Sequence, residues 1–457
     1  MLYKTGRRIG WLLLWLGIVP EMAAQAISAE QNYASNSPGV VMVQTVFSAT
    51  VYVNKVAMNE RRFEQLVDSV KRLDSSGEML SAPAKLDLVV KSLYNNPTRY
   101  FSATTEYYRQ QHRIYASGTG FFVTGDGYLV TNCHIIDRDS QFVRRKFIQS
   151  TFQEVTEANI RSLENSWQMT LTEDQRTQLA NAYSVIYSQV SSMIIFDLKR
   201  EIYAQFRVDE EGKVVTRRMP AAVIIKGRPM PGKDVAILKV DSVQQMPTLG
   251  LARDSLVRIG EPVLVYGYPE PVTSNTYLAR ETSVEPSLTA GVVSAIKKSI
   301  GGWPVIQMDA VITHGSSGSP VCNNRGQVIG LATFGSIDQA ASNLASGFNF
   351  SIPSFMIRQY LDSVEVQAAM SDATRSFNRG LDYFFRGFYN KALRRFEVVK
   401  KLNEHYPELG YYLQECHNRI DAGQDKEAMN RKNMFRMLAL LLIAGGVIVF
   451  YRWKSKK

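Results

Sequence analysis

Three short segments hold the residue types of nucleophilic catalysis, in the chain order His, Asp, Ser. Thr131-Asn132-Cys133-His134 follows the apolar run GYLV. Lys233-Asp234 precedes VAIL. Gly315-Ser316-Ser317-Gly318-Ser319-Pro320 lies between VIQMDAVI and the run that starts VCNNRGQVIGL. A serine hydroxyl attacks a carbonyl at neutral pH only if a base takes its proton as it does so. His134 would be that base. An imidazole must also be held in one tautomer, and a buried carboxylate at Asp234 would hold it and stabilise the imidazolium. Glycines around Ser317 permit a tight turn in which the amides of Gly315 and Ser317 point together as an oxyanion hole. His314 is read as a rim residue, because a base so close in sequence would leave His134 and Asp234 without roles. His112, His405 and His417 sit in segments of helical pattern and read as surface or packing residues.

The elements around these residues are strand-like. Val40 to Val53 is β-branched with partial alternation, and GTGFFVTGDGYLVTNCHII reads as strand, glycine turn and strand. From about residue 214 to 351, short β-rich runs (AAVIIKG, VAILKV, PVLVYGYP, AGVVSAI, PVIQMDAVI, QVIGLATFG, FNFSI) alternate with Gly and Pro, the pattern of a β-barrel or sandwich. Two stretches break it. Phe63, Leu66, Val67 and Val70 fall at helical spacing, and residues 139–206 are long, polar and poor in glycine and proline, so helical insertions are predicted at 57–112 and 139–206.

The stretch from about Gly118 to Leu361 resembles the HtrA/Deg branch of trypsin-like proteases. The resemblance rests on GTGFFVTGDGYLVTNCHII, KDVAILKV, LVRIGEPVLVYGYPE, SLTAGVVSAI, IQMDAVITHGSSGSPVCNNRGQVIGL and FNFSIPS, which follow in the family's order. It implies a mainly β, chymotrypsin-like double β-barrel: two six-stranded barrels with the triad His134, Asp234, Ser317 in the cleft between them. It also implies peptide-bond hydrolysis without a cofactor or metal, polypeptide substrates, and homo-oligomers. By the family's pattern, Val311 and Thr313 would line the base of the S1 pocket and Thr333-Phe334-Gly335 one wall. Val311 stands where an acid would be needed to receive Arg or Lys, so small or medium apolar P1 residues are expected. Ser316 replaces the family's Asp or Asn and Ser319 a glycine, which sets aside any activation scheme resting on an acid at 316. The family's PDZ domain is absent.

Length and composition agree with this organisation. The chain has 457 residues, 45% of them hydrophobic and 21% charged, with a formal net charge of +11; that is material for two or three domains. No Arg/Lys stripe interleaved with aromatics marks a nucleic-acid footprint. Cys133, Cys322 and Cys416 are too few and too scattered for a disulfide framework or a metal site, and leave a Cys133–Cys322 bridge open. Lys4, Arg7 and Arg8, the apolar run Ile9 to Val19 and Ala24-Gln25-Ala26 have the three parts of a secretory signal over 1–26, with a polar linker expected over 27–39. The protease domain is expected over 40–365. Gly380, Tyr383, Gly387, Tyr389, Ala392 and Phe396 stand at tetratricopeptide-like offsets within 370–425. Fewer than three repeats cannot stand alone, so this segment is expected to dock on the protease, a second copy or a partner. Met437 to Tyr451 carries no charge. Extended to 433–453 it reaches the length of a single transmembrane helix, with Tyr451 and Trp453 at an interface and a basic tail over 454–457. Together these features predict a single-pass, membrane-anchored serine endopeptidase facing the extracytoplasmic side. The competing expectation is a silent protease-fold scaffold that recruits partners through its helical repeat.

Overall fold

Strand hairpins and helices alternate along the chain. The computed structural model describes residues 27–75, 80–190, 193–253, 257–273, 276–278, 285–338 and 343–454. The expected signal segment 1–26 and the last three residues of the basic tail lie outside them. The first half comprises α1 (Ala29–Asn36), β1 (Val40–Met58), α2 (Glu60–Ser75), α3 (Ala82–Asn95), the single turn α4 (Pro97–Tyr100), β2 (Phe101–Phe122), β3 (Tyr128–Thr131), the single turn α5 (Cys133–Ile136), α6 (Ser140–Trp167) and α7 (Glu173–Val190). Four strands follow: β4 (Ile194–Glu210), β5 (Lys213–Pro220), β6 (Ala222–Lys226) and β7 (Ala236–Lys239). The second half runs β8 (Pro262–Gly267), α8 (Glu270–Thr273), β9 (Ser287–Lys298), β10 (Pro304–Met308), β11 (Pro320–Cys322), β12 (Val328–Asp338), β13 (Asn343–Pro353) and α9 (Ser354–Asp362). It closes with α10 (Asp372–Phe385), α11 (Tyr389–Leu402), α12 (Leu409–Asp421) and α13 (Lys426–Lys454).

The chain forms two compact units. Of the described residues, one unit holds those up to Val43, Ser117–His134 and those from Tyr203 on; the other holds those within Gln44–Ala116 and Ile135–Ile202. In the first, six antiparallel strands close a barrel in the order β10-β13-β12-β11-β8-β9. Alternation turns Val263, Val265, Val293, Ile306, Met308 and Val321 into its interior. The remaining strands form a seven-stranded sheet, β5-β4-β1-β2-β3-β7-β6. This corrects the expectation of two six-stranded barrels. Glu211 and Gly212, both at positive φ, make a two-residue hairpin that folds β5 back onto β4 in register Glu210↔Lys213. β5 is thus an additional strand at one end of the sheet.

The second unit has its own core, in which Val51, Val53, Val90, Leu93, Phe147, Leu179 and Ala182 are buried. Each of the larger side chains contributes about 1.5–3 kcal/mol by burial. Its helices are α2, α3, α4, α6 and α7, but residues 101–112 and 194–206, expected to be helical, are strand. Both are rich in β-branched and aromatic residues, and their long polar side chains stand on an exposed sheet face, so composition resembled a solvated helix while the backbone preference was extended.

The polar stretch 27–39 is likewise not a linker. Ser28 caps α1 by accepting from the Gln31 amide, and a 3-10 turn follows over Ser37–Gly39. Asn32 is fully buried; its amide nitrogen donates to Asn323 O (3.0 Å) and its oxygen accepts from Tyr266 OH (2.7 Å). Tyr33 OH donates to Pro286 O (2.9 Å). The polar groups are satisfied by partners far along the chain, which composition cannot show.

Helices α10, α11 and α12 pack around Phe377, Phe396, Tyr406 and Tyr412. A Cβ at Gly380 would meet Phe396 Cε1 at 2.5 Å, so glycine there sets the helix spacing. This segment docks within its own unit. Thr374 Oγ1 accepts from the Thr248 amide (2.9 Å), Asn403 donates to Gln245 O (3.2 Å), Asp209 Oδ2 accepts from the Gly410 amide (2.9 Å), and Arg207 pairs with Glu408 (2.7 Å). The expected span 433–453 falls inside α13. Among the described residues no helix is long and apolar enough to cross a membrane.

Candidate active site

Adjacent antiparallel strands bring His134 to Asp234. β3 pairs with β7 in register Thr131↔Ala236. The residues just after β3 therefore meet those just before β7. His134 sits on the turn after β3 and Asp234 two residues ahead of β7. Asp234 is fully buried, and three donors converge on its carboxylate. The His134 amide donates to Oδ1 (2.8 Å), His134 Nδ1 to Oδ2 (2.5 Å) and Thr333 Oγ1 to Oδ2 (2.8 Å). Asn132 pins the backbone by donating to Asp234 O (2.7 Å). A carboxylate acceptor fixes the proton on Nδ1 and leaves Nε2 as the basic nitrogen.

Ser317 comes from the closed barrel, in the turn before β11. Gly318 N donates to Ala332 O (2.8 Å) and Ala332 N to Ser319 O (2.9 Å), which ties this turn to β12. Ser317 Oγ donates to Thr333 O (3.2 Å). The hydroxyl and the carboxylate thus meet at one residue, Thr333, whose side chain binds Asp234 and whose carbonyl binds Ser317. Among the described hydrogen bonds Ser317 Oγ is not joined to His134.

The turn itself is held by Thr119. Its amide donates to Ser317 O (2.7 Å) and its hydroxyl to Gly315 O (2.9 Å). Gly315 and Gly318 have φ of +88° and +85°. A Cβ at Gly315 would lie 2.3 Å from Tyr268 O, and one at Gly318 1.9 Å from Thr119 O, so only glycine fits either position. The Glu270 amide donates to His314 O (2.6 Å). In a trans peptide the carbonyl and the following N–H point oppositely, so this bond turns the Gly315 N–H away from Glu270. Neither Gly315 N nor Ser317 N donates to a partner among the described residues. Two unspent amides beside a serine hydroxyl can receive a developing oxyanion.

Of the residues expected to line S1, Thr333 is buried and Thr313 half-buried, but Val311 is 54% exposed. It lies on an open flank, while its neighbours Ala310 and Ile312 turn into the barrel core. Phe334 and Gly335 lie in β12, paired with Phe350 and Asn349; their side chains lie outside the described residues. His314 is exposed at the rim. Cys133, Cys322 and Cys416 are buried and form no disulfide. Burial pushes the Cys322 thiol well above its ordinary range and that of Cys416 up to about 12, so neither is a thiolate near neutrality. Sequence reading passed over three positioning residues. Thr119 and Asn132 stand inside the quoted first motif and could have been flagged as polar residues in apolar strand contexts. Thr333 was read only as a pocket wall.

Residues 118–331 match the family model of the Trypsin-like peptidase domain. Among curated proteins the chain is 33% identical over 150 residues to "Serine protease HTRA1B" of Danio rerio, which covers 31% of this chain and 27% of that protein. It is 34% identical over 138 residues to "Serine protease HTRA4" of Mus musculus, covering 28% and 24%. It is 31% identical over 134 residues to "Probable periplasmic serine endoprotease DegP-like" of Rhizobium meliloti (strain 1021), covering 29% and 24%. The chain thus spans about a quarter of the length of these relatives. It carries a trypsin-like serine peptidase domain of the HtrA/Deg-like kind.

Proposed function

We propose that this protein is a serine endopeptidase in which Ser317 is the nucleophile, His134 the general base and Asp234 the acid that orients it. The observation that carries this reading is the convergence of His134 Nδ1 and Thr333 Oγ1 on the buried Asp234 Oδ2, with Ser317 Oγ bonded to the same Thr333. On substrate binding, Ser317 Oγ leaves the Thr333 carbonyl and donates to His134 Nε2. As Oγ attacks the scissile carbonyl carbon, Nε2 takes its proton. The oxyanion is held by the amides of Gly315 and Ser317, and the imidazolium by Asp234. Collapse of the tetrahedral species breaks the C–N bond, and the imidazolium returns the proton to the leaving amine. Water then repeats the sequence and frees the acid. No cofactor enters.

The finer reading is that the enzyme is secreted through 1–26 and held by 433–453 on the extracytoplasmic face of a membrane, where it acts in envelope protein quality control or regulated proteolysis. The charge-free run Met437 to Tyr451 and its aromatic and basic flank support it. Cleavage after small or medium apolar P1 residues belongs to the same reading, supported by the lack of an acidic residue among Val311, Thr313, Thr333, Phe334 and Gly335. Homo-oligomers, and partners at the helical segment 370–425, belong to the same reading.

A fluorophosphonate probe tests the chemistry. It is expected to label the full chain, with labelling lost in Ser317→Ala and strongly reduced in His134→Ala. A folded chain that is not labelled is a protease-fold scaffold. Strong cleavage after Arg or Lys in a peptide library, with little after Val or Ala, overturns the P1 reading alone.

A further inference from the structure

A cleft of about 1420 Å³ opens in the unit that carries the peptidase domain, and none of His134, Asp234 and Ser317 lines it. Its charge is unbalanced. Arg253, Arg258, Arg325, Arg358 and Arg375 line it, against Glu261 and Asp382. Asp382 already pairs with Arg386 (3.3 Å), and Glu261 accepts from the backbone amide of Arg258 (3.2 Å). Arg375 pairs with Asp372. Arg358 is held by the carbonyls of Leu251 (2.6 Å) and Ala252 (3.1 Å), which fix its plane without neutralising it. The side chains of Arg253, Arg258 and Arg325 make no hydrogen bond or ion pair among the described residues.

Two more features define what fits. Asn378 also lines the cleft, and its Oδ1 is a buried acceptor with no partner. An anion alone cannot satisfy an acceptor, whereas a peptide N–H can. The volume exceeds the roughly 300–1,000 Å³ of ordinary small-molecule pockets, and Ile259 and Met370 add apolar surface between the cations. Guanidinium groups recognise carboxylates through paired N–H donors. We propose that this cleft is a docking site, separate from the peptidase site, for an acidic peptide segment with interspersed apolar residues. Glu or Asp side chains of the segment meet Arg253, Arg258, Arg325 and Arg358, its apolar residues meet Ile259 and Met370, and one backbone N–H donates to Asn378.

The test uses the full chain carrying Ser317→Ala, so that nothing bound is cut, and fluorescence anisotropy of a labelled octapeptide alternating Glu and Leu. Binding is expected, weakening with added salt. The Gln/Leu isologue is expected not to bind. Arg258→Glu combined with Arg325→Glu, both exposed and outside the catalytic machinery, is expected to weaken binding about tenfold or more while leaving the thermal unfolding midpoint unchanged. Equal binding of the Gln/Leu peptide, or Glu/Leu binding indifferent to the two arginines, overturns the proposal. So does absence of peptide binding beside arginine-dependent binding to vesicles of phosphatidylcholine with phosphatidylserine, which makes the site a lipid-headgroup site. None of these readouts depends on catalysis, so this proposal can fail while the protease reading stands, and the reverse.

Discussion

The carboxylate at Asp234 and the arginines of the basic cleft lie in one unit and solve the problem of charge in opposite ways. Asp234 is fully buried and takes three donors at 2.5–2.8 Å. A carboxylate is costly to bury, and here its donors are fixed in advance. Among the cleft arginines, Arg253, Arg258 and Arg325 are exposed and have no counter-ion among the described residues. Arg207 stands between the two. It is 5% exposed and pairs with Glu408 at 2.7 Å, yet its Nε and Nη2 have no partner. A completed set of partners marks a group that must hold one geometry through a reaction, and an incomplete set on an open wall marks one that awaits a ligand. Arg207 does neither; it anchors α12 to the sheet.

Breaking the completed set should have the largest effect. Asp234→Asn keeps the shape but offers an amide where Nδ1–H needs an acceptor, so the imidazole turns or takes the wrong tautomer. A fall in kcat/KM of about 10⁴ is expected, measured on a peptide substrate with the unfolding midpoint as control. A loss of only a few-fold would show that Asp234 does not orient His134, and the contrast with the cleft would collapse. Glu408→Gln comes next. It removes the counter-ion of a buried guanidinium, and denaturant unfolding should show a loss of about 3–5 kcal/mol. A loss under about 1 kcal/mol would place Arg207 with the solvated arginines.

Much of the completed site is legible in the sequence, because its parts are local. His134 follows a strand within a few residues, Asp234 precedes one, and the glycines beside Ser317 announce a turn. The joining residue is not local. Thr333 touches Asp234 and Ser317 through different atoms, and nothing in ATFG says that a threonine side chain faces a carboxylate about a hundred positions earlier in the chain. The same limit explains Asn32, whose partners Asn323 and Tyr266 turn a polar stretch into a docked helix. It also explains the cleft, whose arginines are scattered from 253 to 375 and only the fold collects. In the second unit the failure was of periodicity: 194–206 carries apolar residues that alternate, but also enough charge to pass for a solvated helix.

Thr333→Val sharpens the account of the joining residue. Valine keeps the volume and the carbonyl that holds Ser317, and deletes only the hydroxyl bonded to Asp234 Oδ2. One charge-assisted hydrogen bond is worth about 1.5–3 kcal/mol. A loss of roughly ten- to a hundredfold is expected in kcat, with KM nearly unchanged. If KM rises instead, Thr333 acts as a pocket wall and the carboxylate is held adequately by His134 alone.

The smallest effect is expected where charges are paired but wet. On α6 and α7, Arg176 reaches Glu157 (2.5 Å) and Glu164 (2.8 Å). The hydrogen bonds from Arg176 hold both carboxyls below the usual glutamate value of 4.5. Because the folded-state value is the lower one, the pair stabilises the second unit above that ordinary value. The contribution is lost as the pH falls through the folded-state values, so the unfolding midpoint should decline below about pH 4.5. Arg176→Gln should flatten that decline while changing the midpoint little at neutral pH, since half-buried pairs that solvent still reaches contribute about 0–1 kcal/mol. An undiminished acid slope in Arg176→Gln would mean that other carboxylates carry it. A large loss at neutral pH would mean that this pair, like Asp234, belongs with the completed sets.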